Sequence, residues 1–178
     1  MKKISKENKE LLLILGGVSA LFVMANSIKK YGGAGDVAAN LVRKWEGYEP
    51  IAKDDGFGNI TGGYGTVTYP DGSPVQDGDQ HSRAEWESYM WNELSVKLAA
   101  IQSNIKIEAN DNIIGALASF AYNEGLTALF DSTLWAQLNA GVALPVVAKQ
   151  FERWVYVDGV PVEGLKNRRL DEEKTFLT

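Results

Sequence analysis

Apolar residues change their spacing along the chain, and each change marks an expected element. Leu11 to Ala25 is an unbroken apolar or small run, "LLLILGGVSALFVMA", led by "MKKISKENKE" and followed by "NSIKK". Helical spacing begins with Val37, Leu41 and Trp45, which form one stripe. Asp36 suits the N-cap of that helix, which should end near Gly47. Between Ile51 and Tyr69 the pattern turns to the β-formers Ile60, Tyr64, Val67 and Tyr69, punctuated by Gly56, Gly58, Gly62, Gly63 and Gly65. That predicts a small antiparallel sheet with tight turns, and Tyr69 to Gln80 reads as a loop.

Ser82 and Glu85 carry the spacing of a capping box. Trp86, Met90, Leu94, Leu98 and Ile101 then recur every three or four residues and predict a long amphipathic helix. Further helices are expected over 111–122, 133–139, 145–154 and 165–176, with Gly141 closing one and Pro145 in the first turn of the next. An early sheet followed by helices predicts an α+β class with two lobes, and a cleft between them is the expected seat of an extended substrate.

The first apolar run is 15 residues long, shorter than the roughly 20 that span a bilayer comfortably. Three readings are open: a retained anchor, a cleaved secretory signal and a buried core helix. The run has no polar face at helical spacing, which argues against a core helix, and no clear small-x-small cleavage site follows it. Residues 1–30 are therefore read as a membrane anchor contacting the bilayer through residues 11–28. Residues 31–35 are read as a flexible linker and residues 36–178 as the functional domain. Four Lys precede the run and two follow it, which places the N-terminus in the cytoplasm and the body across the membrane.

Composition narrows the chemistry. There are no cysteines, which excludes disulfides, thiolate metal sites and a cysteine nucleophile. The lone histidine, His81, reads as a polar loop residue and leaves little material for a zinc site or a Ser-His-Asp triad. No metal and no cofactor are expected, so carboxylates must carry any acid-base work. Residues 1–30 hold six Lys and two Glu, whereas the rest holds 12 Lys and Arg against 21 Asp and Glu. An acidic body argues against nucleic acid as a partner, and a monomer is expected.

The stretch "WEGYEPIAKDDGFGNITGGYGT" gathers Glu46, Glu49, Asp54 and Asp55. Glycoside hydrolysis needs one carboxyl group to protonate the leaving oxygen and a second group to activate water or attack the sugar. Glu46 lies at a helix end, and Asp55 and Thr61 lie on or beside the sheet. Adjacent Asp54 and Asp55 point to opposite faces of an extended segment, so at most one enters a cleft. On this reasoning Glu46 with Asp55 and Glu49 with Asp54 both stand as pairs, beside the plain reading of an acidic solvated loop.

Glu46, eight residues, Asp55, five residues, Thr61 resembles the Glu-x8-Asp-x5-Thr signature of phage-type lysozymes, glycoside hydrolase family 24. "TGGYGT" is similar to that family's Thr-Ile-Gly-Tyr-Gly-His turn. "SFAYNEGLTALFDSTLWAQLNAG" and "FERWVYVDGVPVEGLKNRR" followed by Glu172 resemble its later motifs. The likeness covers about residues 36 to 176, in order. Gly62 departs from the usual Ile, which loosens a β segment, and Thr66 departs from the usual His.

The resemblance implies a two-lobed lysozyme-like fold and inverting hydrolysis of the β-1,4 bond between N-acetylmuramic acid and N-acetylglucosamine in bacterial peptidoglycan. It implies Glu46 as general acid, with Asp55 and Thr61 activating water. Gly63 and Tyr64 would shape the cleft floor and Asn123 the opposite wall, a role that competes with helix capping for Asn123. Ser132 is read as a helix cap, Trp154 as core, and Arg168 and Arg169 as salt-bridged anchors of the last helix. The apolar N-terminal segment resembles a signal-anchor-release sequence of phage endolysins, which implies a protein on the host inner membrane facing the periplasm and releasable from it. Three rivals accompany this reading: a permanently anchored virion lysozyme, a lytic transglycosylase and an inactive wall-binding module.

Overall fold

The structure, a computed structural model, describes residues 31–178. The anchor assigned to residues 1–30 and its bilayer segment 11–28 lie outside the described residues. Among the described residues no helix is long and apolar enough to cross a membrane.

The order of elements is helix α1 (residues 31–46), β1 (Glu49–Asp54), β2 (Ile60–Gly63), α2 (Arg83–Asn104), α3 (Asp111–Glu124), α4 (Leu126–Phe130), α5 (Thr133–Asn139), α6 (Leu144–Ala148), one 3₁₀ turn (Phe151–Arg153), β3 (Tyr156–Val157), β4 (Val160–Pro161) and α7 (Glu163–Phe176). This is the expected α+β composition. The described residues form two units: Gly47–Asn92, which holds the β1–β2 sheet, and Tyr31–Glu46 with Glu93–Thr178, which is mostly helical. Helix α2 supplies its first half to the sheet unit and its second half to the helical unit.

In the sheet unit, β1 and β2 pair antiparallel with Lys53 opposite Thr61 and Asp54 opposite Ile60, and the register is irregular between Glu49 and Lys53. Single bridges join Ile51 to Gln80, Gly62 to Thr66 and Thr68 to Pro74, so the loop after β2 folds back on the sheet. Its core is Ala52, Val75 and Trp86, with Tyr48, Ile60, Tyr69 and Tyr89 packed against them. The capping box forms: Ser82 N donates to Glu85 Oε2 at 2.9 Å, and Glu85 N donates to Ser82 Oγ at 3.3 Å. Two backbone donors at the start of α2 are satisfied this way.

His81 is more than a polar loop residue. Its ring stands edge-on to Trp86 at 4.8 Å, and its Nε2 lies 3.0 Å from Tyr69 Oη. Tyr69 donates to Asp79 Oδ2 at 2.7 Å, so its oxygen is left to accept, and His81 Nε2 must carry the hydrogen. Burial and the Asp79 carboxylate push the Tyr69 hydroxyl pKa well above its ordinary value.

Along α2, Trp86, Met90, Leu94, Leu98 and Ile101 are all fully buried, as their spacing predicts. Helix α3 begins with Asn110 Oδ1 accepting from Ile113 N. A Cβ on Gly115 of α3 would strike Val37 and come within 3.0 Å of Ala34 O, so its absence lets α3 lie close on α1. Phe120 meets Phe151 at 5.7 Å and Trp154 at 5.2 Å, both edge to face. Trp154 is half-buried in this cluster.

Several expectations are corrected. Residues 31–35, expected as a linker, are helical, and Asp36 lies within α1 instead of capping it. Tyr31, Ala34, Ala38 and Val42 are buried at helical spacing, a stripe that the neighbouring glycines disguise. The helix expected over 145–154 is α6 and a separate 3₁₀ turn. Helix α4 and the β3–β4 hairpin, turned by Asp158 (φ 50) and Gly159 (φ 77), were not expected. Their strands are two residues long and exposed throughout, so they leave no periodic trace.

Charged side chains at the heart of the helical unit fix α7. Glu172 and Arg169 are completely buried and Arg168 nearly so. Arg169 Nη1 donates to Glu172 Oε2 at 2.5 Å, Arg168 Nε to Glu172 Oε1 at 3.2 Å, and Ser119 Oγ to the same Oε1 at 2.7 Å. Burial pushes the Glu172 carboxyl upward, opposed by Arg169 and Arg168. Removing one member of such a network strands its partners in the interior. Arg169→Met is expected to destabilise the protein by about 3 kcal/mol, measured as the change in unfolding free energy in urea.

Candidate active site

Glu46 is the last helical residue of α1, as its position before Gly47 predicts. Arg168 Nη1 donates to its Oε1 at 2.6 Å, and the Glu46 side chain is 21% exposed. Lys44, two residues earlier, pairs with Asp171, so two adjacent charges on α7 hold the end of α1. Burial alone would lower the Arg168 pKa, but the carboxylates of Glu46 and Glu172 outweigh it and the pKa is raised. Arg168 therefore stays cationic beside Glu46.

Asp55 follows β1 and opens the turn to β2, and Thr61 is the second residue of β2. The two sit on one hairpin of the sheet unit, whereas Glu46 belongs to the helical unit. Asp55 Oδ1 accepts from Phe57 N at 2.8 Å and Asn59 N at 3.2 Å, and its Oδ2 accepts from Asn59 Nδ2 at 3.0 Å. The Asn59 side chain, then the Phe57 amide, hold the Asp55 carboxyl below its usual pKa. Donors aimed at the charged form favour it.

The other two carboxylates of this stretch have local partners. Glu49 pairs with Lys53, and Asp54 Oδ1 accepts from Gly56 N at 2.6 Å. Gly63 closes β2 with φ +63. Tyr64 is buried, its ring 5.3 Å from that of Tyr48 and its hydroxyl accepting from Arg83 Nη2 at 3.1 Å; this supports the turn from beneath. Asn123 does not cap α3, which ends at Gly125; its Oδ1 accepts from Arg169 Nη2. Ser132 caps α5 through Trp135 N at 3.0 Å. Thr66 is buried, and its hydroxyl has no hydrogen-bond partner among the described residues. No cluster able to hold a metal ion occurs among the described residues.

Sequence reasoning missed Asn59 as the holder of Asp55 and Arg83 as the holder of Tyr64. Asn59 had a signal, since "DDGFGN" is rich in residues whose side chains bond their own turn. Arg83 had none, being 19 positions from Tyr64.

A helical unit, a small antiparallel sheet unit and a carboxylate at the end of the first described helix define a lysozyme-like α+β protein. The chain belongs to the phage lysozyme family, whose model matches residues 43–172. It is 30% identical over 142 residues to the endolysin of Bacillus phage PZA, covering 77% of this chain and 52% of that protein. It therefore spans about half the length of that relative. The SAR-endolysin of bacteriophage PS119 is 29% identical over 164 residues, 92% of each chain. Among solved structures, the endolysin from Escherichia coli O157:H7 phage FAHEc1 superposes with a TM-score of 0.72 at 35% identity, over 79% of this chain and 90% of that one.

The Asp55 turn yields a direct prediction. Asn59→Ala removes the largest favourable contact to the Asp55 carboxylate, so its pKa rises and it protonates at higher pH. A carboxyl-carbon NMR titration should show the Asp55 midpoint moved upward, with those of Glu49 and Asp71 unchanged.

Proposed function

We propose that this chain is a muramidase that hydrolyses the β-1,4 bond between N-acetylmuramic acid and N-acetylglucosamine in bacterial peptidoglycan, with inversion, during lysis of a phage's host. The observation that carries this reading is the family match over residues 43–172, which includes Glu46, Asp55 and Thr61 at the signature spacing.

In the mechanism Glu46 protonates the departing glycosidic oxygen. Asp55 accepts a proton from the attacking water, and the Thr61 hydroxyl orients that water. The surroundings of Asp55 support its part in this division. Asp55 sits in an exposed turn with three hydrogen bonds that favour its ionised form, as a base requires. Glu46 is held in one direction by Arg168, a fixed cation able to stabilise the carboxylate left after proton donation. Gly63, Tyr64 and Asn123 take part in substrate binding, Gly63 through its backbone and Tyr64 by supporting the turn. No cofactor takes part, and the protein acts as a monomer.

Glu46→Gln is expected to lower wall-clearing activity by about 100-fold or more while circular dichroism and thermal midpoint stay close to those of the parent. Mass spectrometry of the digest should show reducing muramic acid ends; 1,6-anhydro ends would identify a transglycosylase instead.

The apolar run at 11–28 supports attachment to the host inner membrane, with the body facing the periplasm. Gly16, Gly17 and Ser19 keep its burial free energy low, which suits a segment able to leave the bilayer. Fractionation should find full-length protein in the membrane before depolarisation and in the periplasmic fraction after it. Protein that stays membrane-bound favours a permanent anchor such as that of a virion lysozyme.

A further inference from the structure

Gly62 departs from the family turn, and the space its side chain would take is already occupied. A Cβ built on Gly62 would lie 2.5 Å from both Cη2 and Cζ2 of Trp86 and 3.2 Å from the Ala52 Cβ. Real Cβ atoms do not approach carbon so closely, so no side chain fits at position 62 unless the indole moves. A Cβ on Gly63 would meet the base of the same side chain at 2.8 Å. Two consecutive glycines thus lie flat on one tryptophan.

The indole in turn is held from every side. Trp86 is fully buried, and its Nε1 donates to Pro50 O on β1 at 3.2 Å. Tyr69 stacks on it at 6.1 Å, while His81 and Tyr89 stand edge-on at 4.8 and 5.6 Å. Its backbone lies in the first turn of α2, where Trp86 N donates to Ser82 O at 3.1 Å. One side chain therefore touches β2 through Gly62 and Gly63 and β1 through Pro50. Gly62 faces the indole, so strand alternation turns its neighbour Thr61 to the opposite face.

We propose that Trp86 is a positioning residue for Thr61. The ring and the missing side chain at 62 form an interlocked pair: the indole fills the volume that a residue at 62 would fill, and so sets the height and register of β2. The direction of the Thr61 hydroxyl follows from that height. Trp86 has no exposed surface and touches no substrate; it acts through the strand. A smaller residue at 86 leaves a void into which β2 sinks, and a larger residue at 62 refills that void from the other side. The role of Thr61 in the reaction rests on the muramidase reading above, but the interlock itself does not.

The test is a double-mutant cycle on the full-length chain with Gly62→Ile, Trp86→Leu and the combined variant. kcat and KM are measured on soluble glycan fragments, and the Thr61 amide is followed by NMR. Each single variant is expected to lower kcat by about 10-fold or more with KM little changed, because misplacement of a reacting group acts on the chemical step. The combined variant should recover most of that loss, with a strongly non-additive coupling, and should return the Thr61 resonance towards its parental position. Losses that simply add, or a folded Trp86→Leu variant with parental kcat, would overturn the proposal. If a single variant fails to fold, its rescue by the second substitution supports the interlock, and absence of rescue defeats it. Trp86→Phe paired with Gly62→Ala applies the same criteria with a smaller change of volume. Thr61→Val, measured alongside, separates the two readings. Undiminished activity there removes the role of Thr61, whereas the recovery of its resonance in the Gly62–Trp86 cycle still reports on the interlock.

Discussion

The helical unit depends on satisfying the Glu172 carboxyl group where water cannot reach it. A carboxylate without solvent is costly unless donors surround it, and three side chains supply them: Arg169, Arg168 and Ser119. Both arginines are also committed elsewhere. Arg169 also bonds Asn123, Glu124 and the Trp154 carbonyl. Arg168 also bonds the Ser119 carbonyl and Glu46. A shift of α7 along α3 would unpair several of these groups at once, so the network specifies one packing of the last helix. Phe120 closes it from one side, with the Arg169 guanidinium 4.8 Å from its ring.

That requirement reaches Glu46 through Arg168. The guanidinium that neutralises a structural carboxylate also orients the one proposed as acid, so fold stability and site geometry share a side chain. The sheet unit has the opposite character. Asp55 is held only by its own turn, within four residues and in full contact with water. One carboxylate is fixed by a contact 122 positions away in sequence and the other by a local loop.

Much of the fold was legible because its elements bury continuous stripes. The α2 stripe and the Ser82–Glu85 box are short-range patterns, and both occur as read. The glycine-punctuated sheet and the Ser132 cap were legible for the same reason. Residues 31–35 were misread because Gly32, Gly33 and Gly35 signal a joint, whereas the burial of Tyr31 and Ala34 makes the segment helical. Helix α4 and the exposed β3–β4 hairpin are too short to show a period. Asn123 left a cap and a site role open; it lies inside α3 and bonds Arg169, 46 positions away, a contact that no local pattern shows.

By itself the sequence determined the order of the longer elements, the absence of thiol chemistry, and the spacing of Glu46, Asp55 and Thr61. These are matters of composition and near-neighbour pattern. Tertiary structure alone decided which cation lies against Glu46, that Arg83 holds Tyr64, and why a glycine stands at position 62. At that position the sequence shows only a departure that looks destabilising. The reason is a tryptophan 24 residues later whose ring needs the space, and volume shared between distant residues leaves no mark in local pattern.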